Sequence, residues 1–302
     1  MVDMHTLLAL QGQLFLLMAL GAFFSRRGIL DQGFQKGLTD LVIDLVLPCS
    51  IIASFEVDLT AQLLHQSIQV AVSSLVIQVG CWLLAHAAFR RCAPQRQPSL
   101  QYAVICSNAG FLGTPVAQGL FGAQGVVLAS IYLIPQRVAM WTLGVAFFEK
   151  SSGRDVWKRV LTHPCIVAVF LGAVLMFTGL RLPGVLDTTV RAMGDCNTGL
   201  SMFLVGMLMS RLRWRDFLDP TVLYYTAIRL VGIPLAVYLG CRLAGLEGLP
   251  AAVSVVLAAM PAGATTAILA ARYDCDGAFA ASCVTVSTVC SLVAIPLWCL
   301  LF

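Results

Sequence analysis

Residues 107–115 read SNAGFLGTP and interrupt a long apolar stretch of the chain. Asn108, Gly110, Gly113 and Pro115 all disfavour a continuous helix, through competing hydrogen bonds, backbone freedom or the missing N–H of proline. An ordinary membrane helix carries Leu, Ile or Val at such a place, because each unpaired backbone group costs several kcal/mol in hydrocarbon. A break at this depth therefore persists only where protein or a water-filled cavity receives the freed N–H and C=O groups.

The composition is that of a membrane protein. Of the 302 residues, 59% are hydrophobic and 11% are charged, whereas charged residues make up roughly 25% of a typical globular domain. Apolar windows of about 17–25 residues, the length that crosses a bilayer, recur along the whole chain. The sequence therefore predicts a multi-pass protein of the lipid bilayer without a separate soluble domain, and its net charge of +4 requires no nucleic-acid partner.

We predict ten transmembrane helices, with approximate limits 6–24, 37–55, 66–89, 100–121, 125–148, 164–180, 189–210, 218–240, 250–271 and 277–301. Of the 19 Lys and Arg residues, fourteen lie on one side of this layout, with clusters at 150–159 and 211–215, three lie on the other side and two lie inside windows. Basic residues concentrate in cytoplasmic loops. The chain is therefore predicted to be a protein of the cell (plasma) membrane with both termini outside the cytoplasm.

The interruption recurs in the ninth window, where AAMPAGATT at 258–266 contains Pro261 and Gly263. The segments that follow the two breaks, FGAQGVVLAS at 121–130 and YDCDGAFAAS at 273–282, share Gly, Ala and Ser at an offset of 152. A five-span repeat is inverted in the membrane because five is odd. The sequence therefore predicts an all-α membrane protein of two inverted five-helix repeats, 1–150 and 151–302, with broken helices near 108–115 and 260–265.

Paired interrupted helices in inverted repeats are typical of secondary transporters, which bind substrate near the bilayer midplane. The half-helix that follows a break presents an N-terminus with partial positive charge, which suits an anion. The competing interpretation of each break is a proline kink that only helps the helices to pack.

Two arginines, Arg137 and Arg229, fall well inside predicted helices. A central Arg costs about 2.5–3.5 kcal/mol on insertion scales. Each is therefore expected either to snorkel or pair with an intramembrane carboxylate, or to face the cavity and bind an anionic substrate through its guanidinium. Asp44 and Asp195, at nearly matching places in the two repeats, are the candidate partners of these arginines or the carriers of a coupling proton. Thr265 and Thr266 after the second break offer hydroxyls to a substrate or ion, or to the freed backbone.

Three long segments carry a family resemblance: GAFFSRRGILDQGFQKGLTDLVIDLVLP at 21–48, SNAGFLGTPVAQGLFGAQGVVLASIY at 107–132 followed by WTLGV at 141–145, and AAMPAGATTAILAARYDCDGAFAASCVTVSTVCSLVAIP at 258–296. Together they resemble the auxin efflux carrier family, whose bacterial members are organic-anion permeases. The resemblance implies that broken helices four and nine cross at Pro115 and Pro261, and that a scaffold part and a transport part rearrange in alternating access.

The resemblance also implies that Asn108 faces the substrate carboxylate. Two places depart from the family pattern. Gln136 and Arg137, after Pro135, stand where a polar but uncharged stretch is expected, and Asp195 stands where Asn or a small residue is expected.

The predicted function is secondary active transport of a small organic anion, a mono- or dicarboxylate such as malate or malonate, by alternating access. The candidate substrate-binding residues are Asn108, Gly110, Gly113, Pro115, Gln136, Arg137, Arg229, Pro261, Gly263, Thr265 and Thr266. Asp44 and Asp195 are the candidates for coupling to H⁺ or Na⁺. A homodimer is compatible with this function.

The alternatives are an uncoupled anion channel and a non-transport membrane receptor. An enzyme is not expected, because the sequence contains no HExxH motif, no paired GxGD-type aspartates and no histidine at the centre of a window. The lack of an ATP-binding GxxxxGK[ST] loop argues against primary active transport by this chain. The eleven cysteines are scattered without metal-ligand spacing, so neither a metal site nor a cofactor is predicted.

Overall fold

The structure is a computed structural model that describes residues 4–55, 60–148, 162, 164–210, 219–263, 265–273 and 275–302. The described residues are almost entirely helical. The basic clusters predicted at 150–159 and 211–215 lie outside the described residues.

Outside the fourth and fifth predicted windows, the helical runs begin and end within five residues of the predicted limits. They are α1 Met4–Arg26, α2 Gln32–Leu41, α3 Leu47–Ser54, α4 Ala61–Ala88, α5 Gln97–Ile105, α6 Thr114–Ala139, α7 Pro164–Thr178, α8 Gly184–Met209, α9 Pro220–Ala227, α10 Ile233–Leu243, α11 Gly248–Ala258, α12 Thr265–Arg272 and α13 Gly277–Cys299. Single π-helical turns join α2 to α3 (Val42–Val46) and α9 to α10 (Ile228–Gly232), and others precede and follow α6 (Ala109–Gly113 and Met140–Gly144).

Five helical runs in the described part of the chain are long and apolar enough to cross a membrane: Gly33–Ser54, Ala61–Ala88, Ala109–Ala139, Pro220–Leu243 and Gly277–Cys299. Three apolar helices are shorter: Gly12–Arg26, Pro164–Thr178 and Gly248–Ala258. The outer face of α4 carries a row of exposed aliphatic side chains, Val72, Leu75, Val76, Val79 and Leu83. Exposure of such a continuous apolar face to water would be unfavourable, and the face is typical of contact with lipid.

The chain reverses direction inside α6. Gly122 has φ +62, and a Cβ atom added to Gly125 would lie 2.5 Å from the carbonyl oxygen of Ala117. Eight residues of straight helix would span about 12 Å, so the segment after Gly122 folds back beside the segment before it. α6 therefore contains the end of the fourth predicted window and most of the fifth.

The helices pack as two groups. In the first group α1 crosses α8 closely at two glycines, because a Cβ on Gly21 would collide with Phe203 and a Cβ on Gly206 would collide with Met18; small residues allow such approaches in membranes. α3 packs on α7 and α8 in the same group. The second group, α4, α5 and α9 to α13, surrounds a core that includes Tyr102, and α6 packs on α4.

At one end of the second group, Arg96 joins the starts of three helices. Its Nη1 lies 3.0 Å from Oδ2 of Asp219 and its Nε lies 3.2 Å from Oδ2 of Asp276. Asp219 caps α9 by accepting from the Thr221 N–H, and Asp276 caps α13 by accepting from the Phe279 N–H. One guanidinium thus links the start of α5 to the capped starts of α9 and α13.

Partial burial raises the pKa of the Asp219 carboxyl, but the Thr221 N–H and the Arg96 charge outweigh burial and hold that pKa below its ordinary value. A group with a lowered folded-state pKa stabilises the fold above its unfolded-state pKa of about 3.9. This stabilisation is lost as the pH falls through the folded-state pKa.

We expect Asp219→Asn to lower the melting temperature of the purified protein modestly at pH 7, because Asn keeps the helix cap and removes only the charge paired with Arg96. Thermal unfolding followed by intrinsic fluorescence measures the effect. The difference from the wild type should shrink as the pH falls below about 4. Asp187→Asn, which alters an exposed pair with Arg191 one helical turn away, is the control; a difference for Asp219→Asn that stays constant with pH would contradict the assignment.

Candidate functional site

The two interrupted segments meet and pair with each other. Ser107 and Ala262 form an isolated antiparallel bridge. The Asn108 N–H donates to the Pro261 carbonyl at 2.7 Å, and the Gly263 N–H donates to the Cys106 carbonyl at 2.9 Å. The backbone groups that each break frees are therefore received by the other break, as membrane depth requires.

This crossing differs in one respect from the prediction that the helices cross at two prolines. Pro261 lies in the bridge, but Pro115 lies in the first turn of α6, beyond the π-helical turn Ala109–Gly113. The helix resumes at Ala109, directly after the bridge, so Pro115 belongs to the resumed helix and not to the crossing. Gly113 lies where the first broken helix packs against α11, since a Cβ there would come within 2.6 Å of Leu257.

The crossing collects helix ends of both polarities. α5 and α11 end there with free carbonyls, and the turn at Ala109–Gly113 and α12 begin there with free N–H groups. Helix C-termini carry partial negative charge and N-termini carry partial positive charge.

Arg229 lies on the carbonyl side and is 3% exposed. Its Nε donates to the Met260 carbonyl at 2.8 Å, its Nη1 to Val104 at 3.0 Å and its Nη2 to Ala258 at 3.1 Å. The guanidinium thus binds the C-terminal ends of both α5 and α11. The hydroxyl of Tyr225 adds a bond to the Ala103 carbonyl at 3.0 Å.

A cavity of about 90 Å³ lies on the other side of the crossing, between the two helix groups. Ile43, Leu47 and Cys165 from the first group form one wall. The described residues on the remaining walls belong to the crossing and to the end of α6, and they are Ser107, Asn108, Gly110, Phe111, Leu133, Gln136, Arg137, Met140, Gly263 and Thr265.

Gln136 and Arg137 lie side by side in this wall but have different surroundings. The Ser107 hydroxyl donates to Gln136 Oε1 at 3.0 Å, and Gln136 Nε2 donates to the Ser107 carbonyl at 2.8 Å. Gln136 therefore holds the break in position. Arg137 is 7% exposed, and its Nη1 is buried without a hydrogen-bond partner among the described residues.

The polar groups at the two breaks also differ in what they bind. Asn108 is 4% exposed and lines the cavity, and its side chain makes no capping bond to the helix that follows. The Tyr102 hydroxyl donates to Thr265 Oγ1 at 3.1 Å. Thr266 is fully buried away from the cavity, with an Oγ1 that finds no partner in the described part of the chain.

Asp44 and Asp195 are both exposed on the surface of the described structure. Within the described residues, neither carboxylate pairs with Arg137 or Arg229, so the predicted intramembrane ion pair is not formed. Asp44 and Arg137 both lie close enough to Cys165 for their charges to act on that thiol, in opposite senses. In the described residues no group of three or more His, Cys, Asp and Glu side chains is placed to hold a metal ion.

The structure thus gathers six of the predicted residues around one cavity: Asn108, Gly110, Gln136, Arg137, Gly263 and Thr265. Sequence reasoning missed Ser107, although it begins the quoted break, and its exchange of bonds with Gln136 has no sequence signal. It also missed Tyr102 and Tyr225, whose apolar surroundings in the sequence resemble those of ordinary core residues.

Comparison with known proteins identifies the family of this chain. A family model described as "Membrane transport protein" matches residues 10–156 and again residues 151–299. An uncharacterized transporter of Methanothermobacter thermautotrophicus is 27% identical over 93% of this chain and 94% of its own length. The uncharacterized transporter YfdV of Escherichia coli K12 is 23% identical over 93% of each chain.

A plant protein, auxin efflux carrier component 5 of Arabidopsis thaliana, is 26% identical over 55% of this chain and 59% of its own length. The family and these relatives are membrane transporters and not enzymes. With its several apolar helices, the chain is a multi-pass membrane protein that belongs to the membrane transport protein family, the family of the auxin efflux carriers.

Proposed function

We propose that this protein is a secondary transporter that moves a small organic anion, a mono- or dicarboxylate such as malate or malonate, by alternating access. The observation that carries the proposal is the buried Nη1 of Arg137 in the wall of the cavity at the crossing, for which no described residue supplies a hydrogen-bond partner. A buried charged donor without an acceptor is costly. An anion in the cavity would supply the missing acceptor.

The polarity of the crossing supports an anion over a cation. Arg229 binds the carbonyl ends of α5 and α11, which leaves the N-terminal ends of the resumed helices facing the cavity side. The first N–H groups of a helix have no intrahelical partner and attract carboxylates. Gly110 lines the cavity and has open space where a Cβ would stand, so a carboxylate can approach its backbone closely.

We assign the substrate contacts to Asn108, Arg137, Thr265 and the backbone at Gly110 and Gly263. Gln136 acts through its clamp on Ser107. In this proposal Arg229, Pro115, Pro261, Gly113 and Thr266 shape the crossing and do not contact substrate. A guanidinium on a carboxylate forms strong charge-assisted bonds, which makes Arg137 the principal determinant of charge selectivity.

The architecture favours alternating access. The cavity lies between the π-helical turn Val42–Val46, α3 and α7 on one side and the crossing on the other, so sliding of one helix group against the other would open it to either side in turn. The two separate matches of the family model and the reciprocal breaks support two inverted five-helix repeats, 1–150 and 151–302, with ten transmembrane helices. With ten spans, both termini lie on the same side of the plasma membrane, and the concentration of Lys and Arg in the loops of the other side supports a location of both termini outside the cytoplasm.

Asp44 is the better candidate for proton coupling. It lies near Cys165, which lines the cavity, so a change in its charge would act on the bound anion and on Arg137. Asp195 is exposed on α8 and has no described contact with the cavity wall. Movement of substrate charge along the membrane potential, about 2.3 kcal/mol per charge per 100 mV, is the alternative driving force.

Arg137→Ala is expected to raise the KM for carboxylate uptake roughly 10- to 100-fold, because a hydrogen bond to a charged group contributes about 1.5–3 kcal/mol. Uptake of radiolabelled malate and malonate into proteoliposomes, under imposed pH and Na⁺ gradients, measures it. Arg242→Ala, at an exposed arginine on α10, is the matched control and should leave uptake unchanged. Unaltered kinetics in Arg137→Ala protein that is correctly inserted would remove the substrate role of this residue.

Asn108→Ala should weaken carboxylate binding by roughly 3- to 10-fold, the loss expected for one neutral hydrogen bond. The backbone bond of Asn108 to Pro261 does not depend on the side chain, so the crossing should remain intact. Ligand-induced thermal stabilisation with malate or malonate measures binding, and the melting temperature without ligand measures the fold. Ser282→Ala, at an exposed hydroxyl on α13, serves as control; equal binding by Asn108→Ala and this control would refute the contact.

A further inference from the structure

The carbonyl side of the crossing resembles a cation site that is already filled. Three carbonyl oxygens point toward one place. They belong to Val104 at the end of α5 and to Ala258 and Met260 at the end of α11. At that place the three nitrogens of the Arg229 guanidinium lie 2.8–3.1 Å from these oxygens. Each nitrogen bonds a different carbonyl, and the side chain is 3% exposed.

In transporters with crossing broken helices, the carbonyl ends of half-helices are where Na⁺ is coordinated. Two converging C-termini carry negative partial charges that favour a cation between them. A Na⁺ ion at this point would have to displace a guanidinium that makes three hydrogen bonds there.

The local backbone is built to present this side chain. Arg229 lies in the π-helical turn Ile228–Gly232 between α9 and α10, and π turns rotate the residues that follow and leave carbonyls without regular partners. The indole N–H of Trp298 donates to the Leu230 carbonyl at 2.8 Å. The turn that aims Arg229 at the crossing is thus held by a second, independent contact from α13.

We propose that Arg229 is a resident cation of the crossing: it neutralises the carbonyl ends of α5 and α11, so that the neighbouring site binds its anion without a co-bound Na⁺ at these carbonyls. Its role in anion binding rests on the proposed function, whereas its role as a substitute for a bound cation does not. Arg229 is in this sense a positioning residue. It fixes the angle between the two broken helices and leaves the N-terminal ends of the resumed helices as the positive side of the crossing, which is free to bind an anion.

The first test compares the wild type with Arg229→Lys. The purified full-length protein is melted in NaCl, KCl and choline chloride at equal ionic strength, and Na⁺ is expected to produce no specific rise in melting temperature. A Na⁺-specific stabilisation of the wild type that Arg229→Lys alters would overturn the proposal, because it would place a bound Na⁺ at the carbonyl ends that Arg229 is proposed to fill.

The second test removes the guanidinium. Arg229→Ala should lower the melting temperature by several degrees, and guanidinium or methylguanidinium ions, at concentrations far below those that denature, should restore part of the loss while choline should not. Arg242→Ala on α10 should show neither loss nor rescue. Wild-type protein in the same salts corrects for their general effect on stability. An Arg229→Ala protein as stable as the wild type, or one that no cation rescues, would overturn the assignment.

Arg229→Lys covers the case in which the alanine variant does not fold. Lysine keeps the charge but cannot offer the planar fork of three donors. The melting temperature of Arg229→Lys should therefore fall between those of the wild type and Arg229→Ala. If Arg229→Ala is not recovered, the melting temperature of Arg229→Lys should fall below that of the wild type. A stability equal to that of the wild type would count against the three-carbonyl geometry. Because melting is measured without substrate, rescue by guanidinium together with an absence of carboxylate uptake would retain this inference and reject the proposed function.

Discussion

The structure depends on the pairing of two broken helices at the point where they cross. In a lipid environment every freed N–H and C=O must find a partner inside the protein. The short bridge between Ser107 and Ala262, with the bonds of Asn108 to Pro261 and of Gly263 to Cys106, supplies these partners. Neither break would be tolerated without the other, so the two halves of the chain are joined at their least regular segments.

The same pairing sorts charge across the crossing. Carbonyl ends collect around Arg229, and amide ends face the cavity with Arg137. Burying each arginine at membrane depth costs free energy, but the two guanidinium groups differ in the partners that compensate for it. Arg229 finds three acceptors in the backbone, whereas Arg137 finds none at Nη1 in the described residues. The guanidinium on one side of the crossing is therefore hydrogen-bonded at all three nitrogens, and the one on the other side has a free donor among the described residues.

Much of the fold follows from the sequence, because glycine, proline and apolar runs have local consequences. Both breaks and the helix limits outside the fourth and fifth windows were predictable in this way, and so was the reversal near Gly122, which separates those two windows. The roles of the two arginines were not. Both are single arginines in apolar helices with a proline close by, and the direction of each depends on helical phase, which the π turns shift without any sequence signal. The place of Pro115 was missed for the same reason, since a π turn separates it from the crossing.

The exposed positions of Asp44 and Asp195 have a physical consequence for charge balance. Had either carboxylate paired with Arg137, the cavity would be neutral, and an incoming anion would have to displace an internal partner. Because neither does so in the described structure, neither carboxylate neutralises Arg137 directly, and Asp44 shares with it only an electrostatic effect on the Cys165 thiol. If the proposed transport function holds, an anion that enters the cavity would interact with Arg137 without displacing an internal carboxylate, and it would have to lose part of its hydration to fit about 90 Å³. A small carboxylate head group meets that limit more easily than a bulky one, which favours recognition of the carboxylate itself over recognition of the rest of the molecule.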